Sequence, residues 1–432
     1  MIFFILSNLK DWKVFFSRSR SWVVKGGWAI TDQAFFSGAN FVVNILLARW
    51  LPPKEYGAFA VAFSLYYLFL NFHIAVLTEP MMVFGAGKYR EHFRKYLGML
   101  FYAHWGISLL IAGGLGIAAF VMKHLSSLVM AKTLAGLALA SPFLLLLVFA
   151  RRACYIPMKP AWAVLGSAIN FILVLSGVFL LWQWNLLSNF SALIVLGTTA
   201  GVASLVVLSF LRPQLVRFSG NPTAGMVVTD HRKYGSWNIL AVTASWTSGQ
   251  IIMLLIPIFL GLTANAVVAA VWNLYRPVSL LMQSLGVIIL PTFSTWVHHG
   301  IPVSELKQRV TKIALFFGGV VALYGFILTI LAKPLLHLLY AGKYDEHWLL
   351  VGLFGLSSGV SISMGVFISL LKVYNRVDVV SAIWILSAIL TTILSVSFMF
   401  FADVEGAIFA VFIAYSIAFW YTIKKVKSLK NK

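Results

Sequence analysis

Long apolar runs separated by short polar segments make up most of the 432-residue chain. A helix needs about 20 predominantly apolar residues to cross the hydrocarbon core of a bilayer, and these runs have that length. Strand-sized segments of alternating hydrophobicity do not appear. The pattern predicts an all-α polytopic membrane protein with about twelve transmembrane helices. The predicted spans are residues 27–49, 57–81, 97–122, 133–151, 161–183, 190–211, 236–260, 266–290, 312–332, 348–371, 378–401 and 405–423.

Composition agrees with this pattern. Hydrophobic residues make up 61% of the chain and charged residues only 10%, with a mean hydropathy of +0.92. Soluble domains carry about 25% charged residues, because their surface faces water. A net charge of +21 would suggest nucleic acid as the partner of a soluble protein. Here membrane topology accounts for the charge, and we expect no nucleic-acid partner.

Most Lys and Arg residues fall in segments on one side of the predicted membrane, which is called the basic face below. The opposite side carries few of them: Arg49, Lys54, Lys123, Lys132, Lys333 and Lys343. Cytoplasmic segments of membrane proteins carry an excess of basic residues. The asymmetry therefore predicts that both termini are cytoplasmic.

The chain also contains an internal repeat. LARWLPPKEYGAFAVAFSLYYLF resembles PIFLGLTANAVVAAVWNLYRPVS, so that Leu51 corresponds to Leu262 and Pro80 to Pro291. Six spans in each half give a parallel repeat of two six-helix bundles, an arrangement typical of transporters. The predicted units are an interfacial segment 1–26, a first bundle 27–211, a cytoplasmic linker 212–235, a second bundle 236–423 and a basic tail 424–432.

A charged residue within a span is costly, which makes it a candidate for function. Arg276 lies near the middle of the eighth predicted span, and Asn273 and Gln283 lie on the same helical face. A guanidinium cannot lose its proton and presents several donors suited to phosphate oxygens. We therefore predict that these three residues bind an anionic substrate group. The alternative is a buried pair between Arg276 and a carboxylate such as Asp32.

Two stripes of polar side chains follow the first and seventh spans, which correspond in the repeat. They contain Gln33, Ser37, Asn40 and Asn44 in the first span, and Thr243, Thr247 and Gln250 in the seventh. Lipid cannot satisfy such groups, so the stripes need either a wet cavity or a polar neighbour. One interpretation is a cavity lining that binds sugar hydroxyls, and the other is hydrogen bonding between helices.

Two carboxylates near the basic face are candidates for gating or coupling. Asp32 lies toward the start of the first span and Glu79 toward the end of the second. Either can form a gate ion pair with Lys25, Lys88 or Arg90, or carry a coupling proton.

Several kinds of catalytic site have no sequence counterpart. The chain contains no GxxxxGK[ST] phosphate loop, no HExxH motif, no His/Cys cluster with metal spacing and a single cysteine, Cys154. We predict neither a metal nor another cofactor. No large outer loop is available for the catalytic groups of a sugar polymerase or glycosyltransferase.

The segment LARWLPPKEYGAFAVAFSL, which closes the first span and opens the second, carries a family resemblance. It resembles the N-terminal signature of polysaccharide flippases, in which an LAR-x-L-type turn precedes P-x-E-[FY]-G. Pro53, Glu55, Tyr56 and Gly57 match that element. The chain is similar to the lipid-linked oligosaccharide flippases of the multidrug/oligosaccharidyl-lipid/polysaccharide (MOP) exporter superfamily.

This resemblance implies a V-shaped pair of bundles in a bacterial inner membrane and alternating access for an undecaprenyl-diphosphate-linked oligosaccharide. It also implies membrane lipids and polysaccharide assembly proteins as partners, and we expect a monomer. Many relatives carry an acidic residue near the position of Gln250, where this chain has an amide.

Two other functions are compatible with a chain of this kind. A multidrug or small-solute exporter of the same superfamily would need an acidic cavity for cationic drugs, whereas the charge within a span here is Arg276. A membrane-embedded sugar polymerase or glycosyltransferase would need the outer loop that is missing.

Overall fold

A computed structural model describes residues 20–215 and 220–429, except for the side chains of 20–26, 236–238, 240, 241 and 279–288. The described chain is helical. Its helices are α1 (Arg20–Trp50), α2 (Pro53–His73), α3 (Glu79–Ala86), α4 (Phe93–His124), α5 (Leu128–Ala153), α6 (Pro160–Gln183), α7 (Asn189–Leu211), α8 (Ala224–Gln250), α9 (Ile252–Phe259), α10 (Gly261–Leu274), α11 (Arg276–His298), α12 (Val303–Ile330), α13 (Ala332–Tyr340), α14 (Trp348–Val373) and α15 (Val377–Lys427).

The prediction of an all-α polytopic membrane protein is confirmed. Within the described residues, eight helical segments are long and apolar enough to cross a bilayer, and the bent pair Val242–Gln250 and Ile252–Phe259 is a ninth. Helices α2 and α3 form one such segment through a π-helical turn at Ile74–Thr78. Helix α1 covers the first predicted span but falls below this standard, because its polar stripe lowers its hydropathy.

Two parts of the chain depart from the predicted division into spans, one by a break within a span and one by a helix that two spans share. The eighth predicted span is divided at Tyr275 into α10 and α11. Pro277 explains the break, since proline has no N–H and its ring clashes with the carbonyl of the residue four positions earlier. The last two predicted spans share α15, in which Ala402 and Asp403 have non-helical backbone angles at a sharp kink.

Part of the predicted linker 212–235 is helical, because α8 begins at Ala224. This first part of α8 packs on the first bundle: Lys88 and Tyr89 both bond the Asp230 carboxylate, and Tyr96 bonds His231. The predicted tail 424–432 continues α15 to Lys427. Residues 1–19 of the predicted interfacial segment lie outside the described residues.

The hydrophobic core changes along the membrane normal. Away from the basic face, one cluster joins both bundles and contains Leu47 and Tyr56 of the first with Ala266 and Tyr340 of the second. Toward the basic face, the described residues form separate clusters, one around Tyr96 and one centred on the second bundle. The apolar core that joins the bundles therefore lies away from the basic face.

Hydrogen bonds hold the outer ends of the bundles together. The Arg49 guanidinium donates to the carbonyl oxygen of Leu338 at 2.6 Å. In the other direction, Lys343 Nζ donates to the carbonyl oxygens of Arg49 and Leu51 at 2.6 and 2.8 Å. The side chains of Arg49 and Lys343 thus fix the turn after α1 against α13 and the segment that follows it.

The signature residues of the second span lie near the contact between the two bundles, which is called the seam below. Glu55 accepts a hydrogen bond from the backbone N–H of Asn189 at the start of α7. Gly57 lies against α10, where a Cβ would come within 1.7 Å of the carbonyl oxygen of Leu262, and its own carbonyl accepts from Asn265. The absence of a side chain at Gly57 is therefore what allows α2 and α10 to approach so closely.

Candidate functional site between the two bundles

Arg276 lies at the break between α10 and α11 and reaches across the seam to the first bundle. Its Nη1 donates to the hydroxyl of Tyr67 on α2 at 2.9 Å, and its Nε donates to Asn273 Oδ1 at 3.0 Å. Asn273, which is almost fully buried, donates in turn to the hydroxyl of Tyr56 at 2.8 Å. The structure thus brings Arg276 and Asn273 together, while their role in binding substrate stays a prediction.

The partners of Arg276 are neutral. In the described part of the chain no carboxylate pairs with it, and its described hydrogen bonds use two of the five N–H groups of a guanidinium. Tyr340, which is fully buried, donates to the Ala270 carbonyl and belongs to the same group of side chains. The arrangement holds a cation in place without neutralising it, which is a suitable environment for an anion.

The alternative of an Arg276–Asp32 pair is wrong. Asp32 instead accepts two parallel hydrogen bonds from Arg151 of α5, at 2.9 and 2.8 Å. Tyr155 and Ser167 also donate to its carboxylate. Among the described side chains, Asp32 therefore pairs with Arg151 and not with Lys88 or Arg90, the partners expected for a gate.

The remaining residues that were predicted to form a gate do not pair with Asp32 in the described part of the chain. Glu79 is half-buried and accepts a hydrogen bond from Tyr234 of α8 at 3.2 Å. Lys88 pairs with Asp230 at 2.7 Å rather than with Asp32 or Glu79. The side chain of Lys25 lies outside the described residues, as does that of Gln283, the third predicted member of the Arg276 face.

The polar stripe of α1 keeps its described hydrogen bonds within one helix. Gln33 donates to Ser37, Asn40 to the carbonyl of Phe36, and Asn44 to the carbonyl of Asn40. These described bonds do not join α1 to another helix, and each of them uses an amide N–H group as the donor.

The corresponding stripe of α8 ends at a bend. Thr247 donates to the carbonyl of Thr243 within the helix. Half-buried Gln250 is the last residue of α8, where the axis turns by 43° into α9. Its backbone carbonyl accepts a hydrogen bond from Ser64 of α2. The structure therefore places Gln250 at the seam between the bundles, while Thr247 lies one turn nearer the basic face.

The hydrogen-bonded tyrosines of the site are absent from the sequence prediction. Tyr56 stands in the signature, and Tyr67 follows it by about three helical turns, which places both on one face of α2. The aligned tyrosines were thus a usable signal. Tyr340 belongs to α13, in a segment that hydropathy assigns to a loop, and only the tertiary structure brings it to the site.

Known proteins of similar sequence and structure support this architecture. No protein-family model matches the chain. The succinoglycan biosynthesis transport protein ExoT of Rhizobium meliloti (strain 1021) is 25% identical over 364 residues, which cover 80% of this chain and 68% of that protein. A multidrug resistance MATE family transporter of the MOP superfamily, in an inward-facing conformation, superposes with a TM-score of 0.74. It is 11% identical, and the match covers 93% of this chain and 98% of that one. The chain is thus similar in sequence to a succinoglycan transport protein and has the fold of a MOP-superfamily transporter.

A second solved structure is that of a flippase in the same fold. The lipid II flippase MurJ, in an inward closed conformation, superposes with a TM-score of 0.71 at 15% identity, over 93% of this chain and 87% of that one. The fold that the signature resemblance implied is therefore shared with both a MATE transporter and a flippase. The relatives of the chain are transport proteins, which supports a transporter over a sugar polymerase or glycosyltransferase.

Proposed function

We propose that this protein is a flippase that moves an undecaprenyl-diphosphate-linked oligosaccharide from the inner to the outer leaflet of a bacterial inner membrane. The observation that carries the proposal is Arg276, a cation at the seam of the two bundles whose described partners are all neutral. A diphosphate offers such a cation the bidentate, charge-assisted hydrogen bonds that neutral tyrosine and asparagine cannot. The similarity to a succinoglycan transport protein supports a polysaccharide substrate.

Alternating access is the mechanism that this geometry favours. The apolar core joins the bundles away from the basic face, which the positive-inside rule assigns to the cytoplasm along with both termini. The diphosphate binds Arg276 and Asn273 from that side, while sugar hydroxyls bond the amides of Gln33, Asn40 and Asn44. The bundles then rock about the seam, and the polyprenyl tail stays in the bilayer throughout.

The chemistry of the site disfavours a cationic drug as the substrate. A site discriminates against a ligand when it places a like charge beside it, and Arg276 would repel a cation. A substrate that carries a diphosphate gains from the same charge.

Flipping of a fluorescent polyprenyl-diphosphate oligosaccharide in proteoliposomes tests the proposal. We expect Arg276→Gln to flip about ten- to a hundredfold more slowly than wild type, because hydrogen bonds to charged groups contribute about 1.5–3 kcal/mol. Arg276→Lys keeps the charge but not the paired donors, and we expect an intermediate rate.

The matched control is Arg309→Gln, which removes an exposed arginine that pairs with Glu305 on the basic face. It should flip at the wild-type rate. Equal rates in wild type and Arg276→Gln would leave the flippase function standing and remove Arg276 from substrate binding. Export of small cations by wild-type protein that flips none of several such lipids would overturn the function itself.

A further inference from the structure

A pocket opens at the basic end of the first bundle, between the starts of α4 and α6 and the end of α7. Its volume is about 460 Å³, and three basic side chains line it: Arg94, Lys159 and Arg212. No acidic residue is among its lining residues, and no described ion pair engages any of the three. The pocket therefore concentrates positive charge that the protein itself does not offset.

An aromatic wall lies beside these cations. The Trp162 and Phe210 rings stack with their centroids 5.5 Å apart, and Lys159 Nζ lies 4.4 Å from the Trp162 ring centroid. Both rings are at the ends of membrane-spanning helices, where tryptophan is typical of the bilayer interface. A cluster of cations next to an aromatic wall matches a molecule with a charged head and an acyl chain.

The backbone around the pocket is firmly attached. Arg94 Nε donates to the carbonyl of Arg212 at 3.1 Å, and the N–H of Gln214 donates back to the carbonyl of Arg94 at 2.8 Å. Gly98 allows this approach, because a Cβ there would come within 1.8 Å of the Gln214 carbonyl oxygen. The pocket is thus formed where the segment leading to the second bundle is fixed to α4.

We propose that this pocket binds the phosphate of an anionic phospholipid from the leaflet at the basic face, and that the bound lipid holds the start of the inter-bundle linker against α4. Basic pockets between membrane helices on the cytoplasmic side bind such headgroups. The three cations contact the phosphate, while Trp162 and Phe210 contact the upper acyl chain. This site is separate from Arg276, so the inference does not rest on the flippase function.

Native mass spectrometry of the purified full-length protein, titrated with dioleoyl-phosphatidylglycerol or dioleoyl-phosphatidylcholine, tests the site. We expect wild type to bind phosphatidylglycerol more tightly than phosphatidylcholine. The double variant Lys159→Gln/Arg212→Gln should lose about thirtyfold in affinity for phosphatidylglycerol, at roughly fivefold for each charge removed. Arg94 is left unchanged, because its guanidinium fixes the linker.

The matched control, Lys312→Gln/Lys372→Gln, removes the same charge from exposed positions on the basic side of the second bundle. It should bind phosphatidylglycerol as wild type does. An equal loss in control and test variants would overturn the proposal in favour of diffuse attraction. Equal wild-type affinity for the two phospholipids would also overturn it, as would binding of a polyprenyl diphosphate in preference to phosphatidylglycerol. If the double variant does not fold, the single Lys159→Gln variant, with its fivefold loss, decides the same question.

Discussion

Arg151 and Arg276 both lie within described helices of this protein, and their neighbours differ. Arg151 is almost fully buried in the first bundle, where it holds Asp32 with two parallel hydrogen bonds and lies 3.7 Å from the Phe36 ring centroid. Arg276 is partly buried at the seam between bundles, and its described partners are the neutral Tyr67 and Asn273. The charge of Arg151 is therefore balanced by a carboxylate, whereas the charge of Arg276 is balanced by no described residue.

This difference separates a structural role from a functional one. A buried charge loses much of its solvation energy, and a partner of opposite charge is needed to offset that loss. Arg151 and Asp32 offset each other within the fold. The desolvation of Arg276 is offset by no described carboxylate, so a bound anion would stabilise it. Proteins commonly tolerate such a loss of stability at functional sites. The partner, rather than the depth of the residue, distinguishes the two arginines.

The largest expected effect comes from breaking the neutralised pair. Arg151→Leu leaves Asp32 buried without its cation, and removing one partner of a buried pair costs about 3–5 kcal/mol. We expect a sharply lower midpoint of thermal unfolding in detergent. The double variant Asp32→Leu/Arg151→Leu should recover most of that loss, since neither charge then remains.

Arg276→Leu is the contrasting variant in the same assay. It removes a charge that no described carboxylate offsets, so its unfolding midpoint should equal or exceed that of wild type. A loss as large as that of Arg151→Leu would show that Arg276 also has a structural partner and would erase the distinction.

An intermediate effect is expected from Tyr67→Phe, which sharpens the comparison at the seam. The variant keeps the ring but removes the hydroxyl that accepts from Arg276. A hydrogen bond contributes about 1 kcal/mol, so flipping should slow about fivefold if the hydroxyl orients the guanidinium. The neighbouring Tyr66→Phe variant is the control, and an equal slowing in both would count against orientation by Tyr67.

The smallest expected effect is on the unfolding midpoint and concerns the exposed ion pair between Lys88 and Asp230. Hydrogen bonds from Lys88 and then Tyr89 lower the pKa of Asp230 below its ordinary value of 3.8. A lowered folded-state pKa adds stability that is present above 3.8 and is lost as the pH falls through the folded value. The unfolding midpoint of wild type should therefore approach that of Asp230→Asn below about pH 4. A difference between them that stays constant from pH 7 to pH 3 would exclude this linkage.

Hydropathy alone predicted the helical membrane architecture, and the signature alone indicated the resemblance to flippases. Both signals are local, because a chain in lipid must satisfy its backbone within each helix. Helical periodicity also predicted that Arg276 lies near Asn273, and the two are in contact although the helix breaks between them at Tyr275. Tyr56 and Gly57 were visible as letters of a motif, but their roles at the seam required α10 to be in place.

Only the tertiary structure decided which buried arginine receives the carboxylate. Asp32 lies at a similar depth to several cations in the sequence prediction, and nothing local selects Arg151, which is 119 residues away. Packing of α1 against α6, with α5 beside α6, brings Arg151, Tyr155 and Ser167 to that carboxylate and keeps it from Arg276. Hydrogen bonds have a reach of about 3 Å, so partner choice depends on how helices pack rather than on where each one lies in the chain.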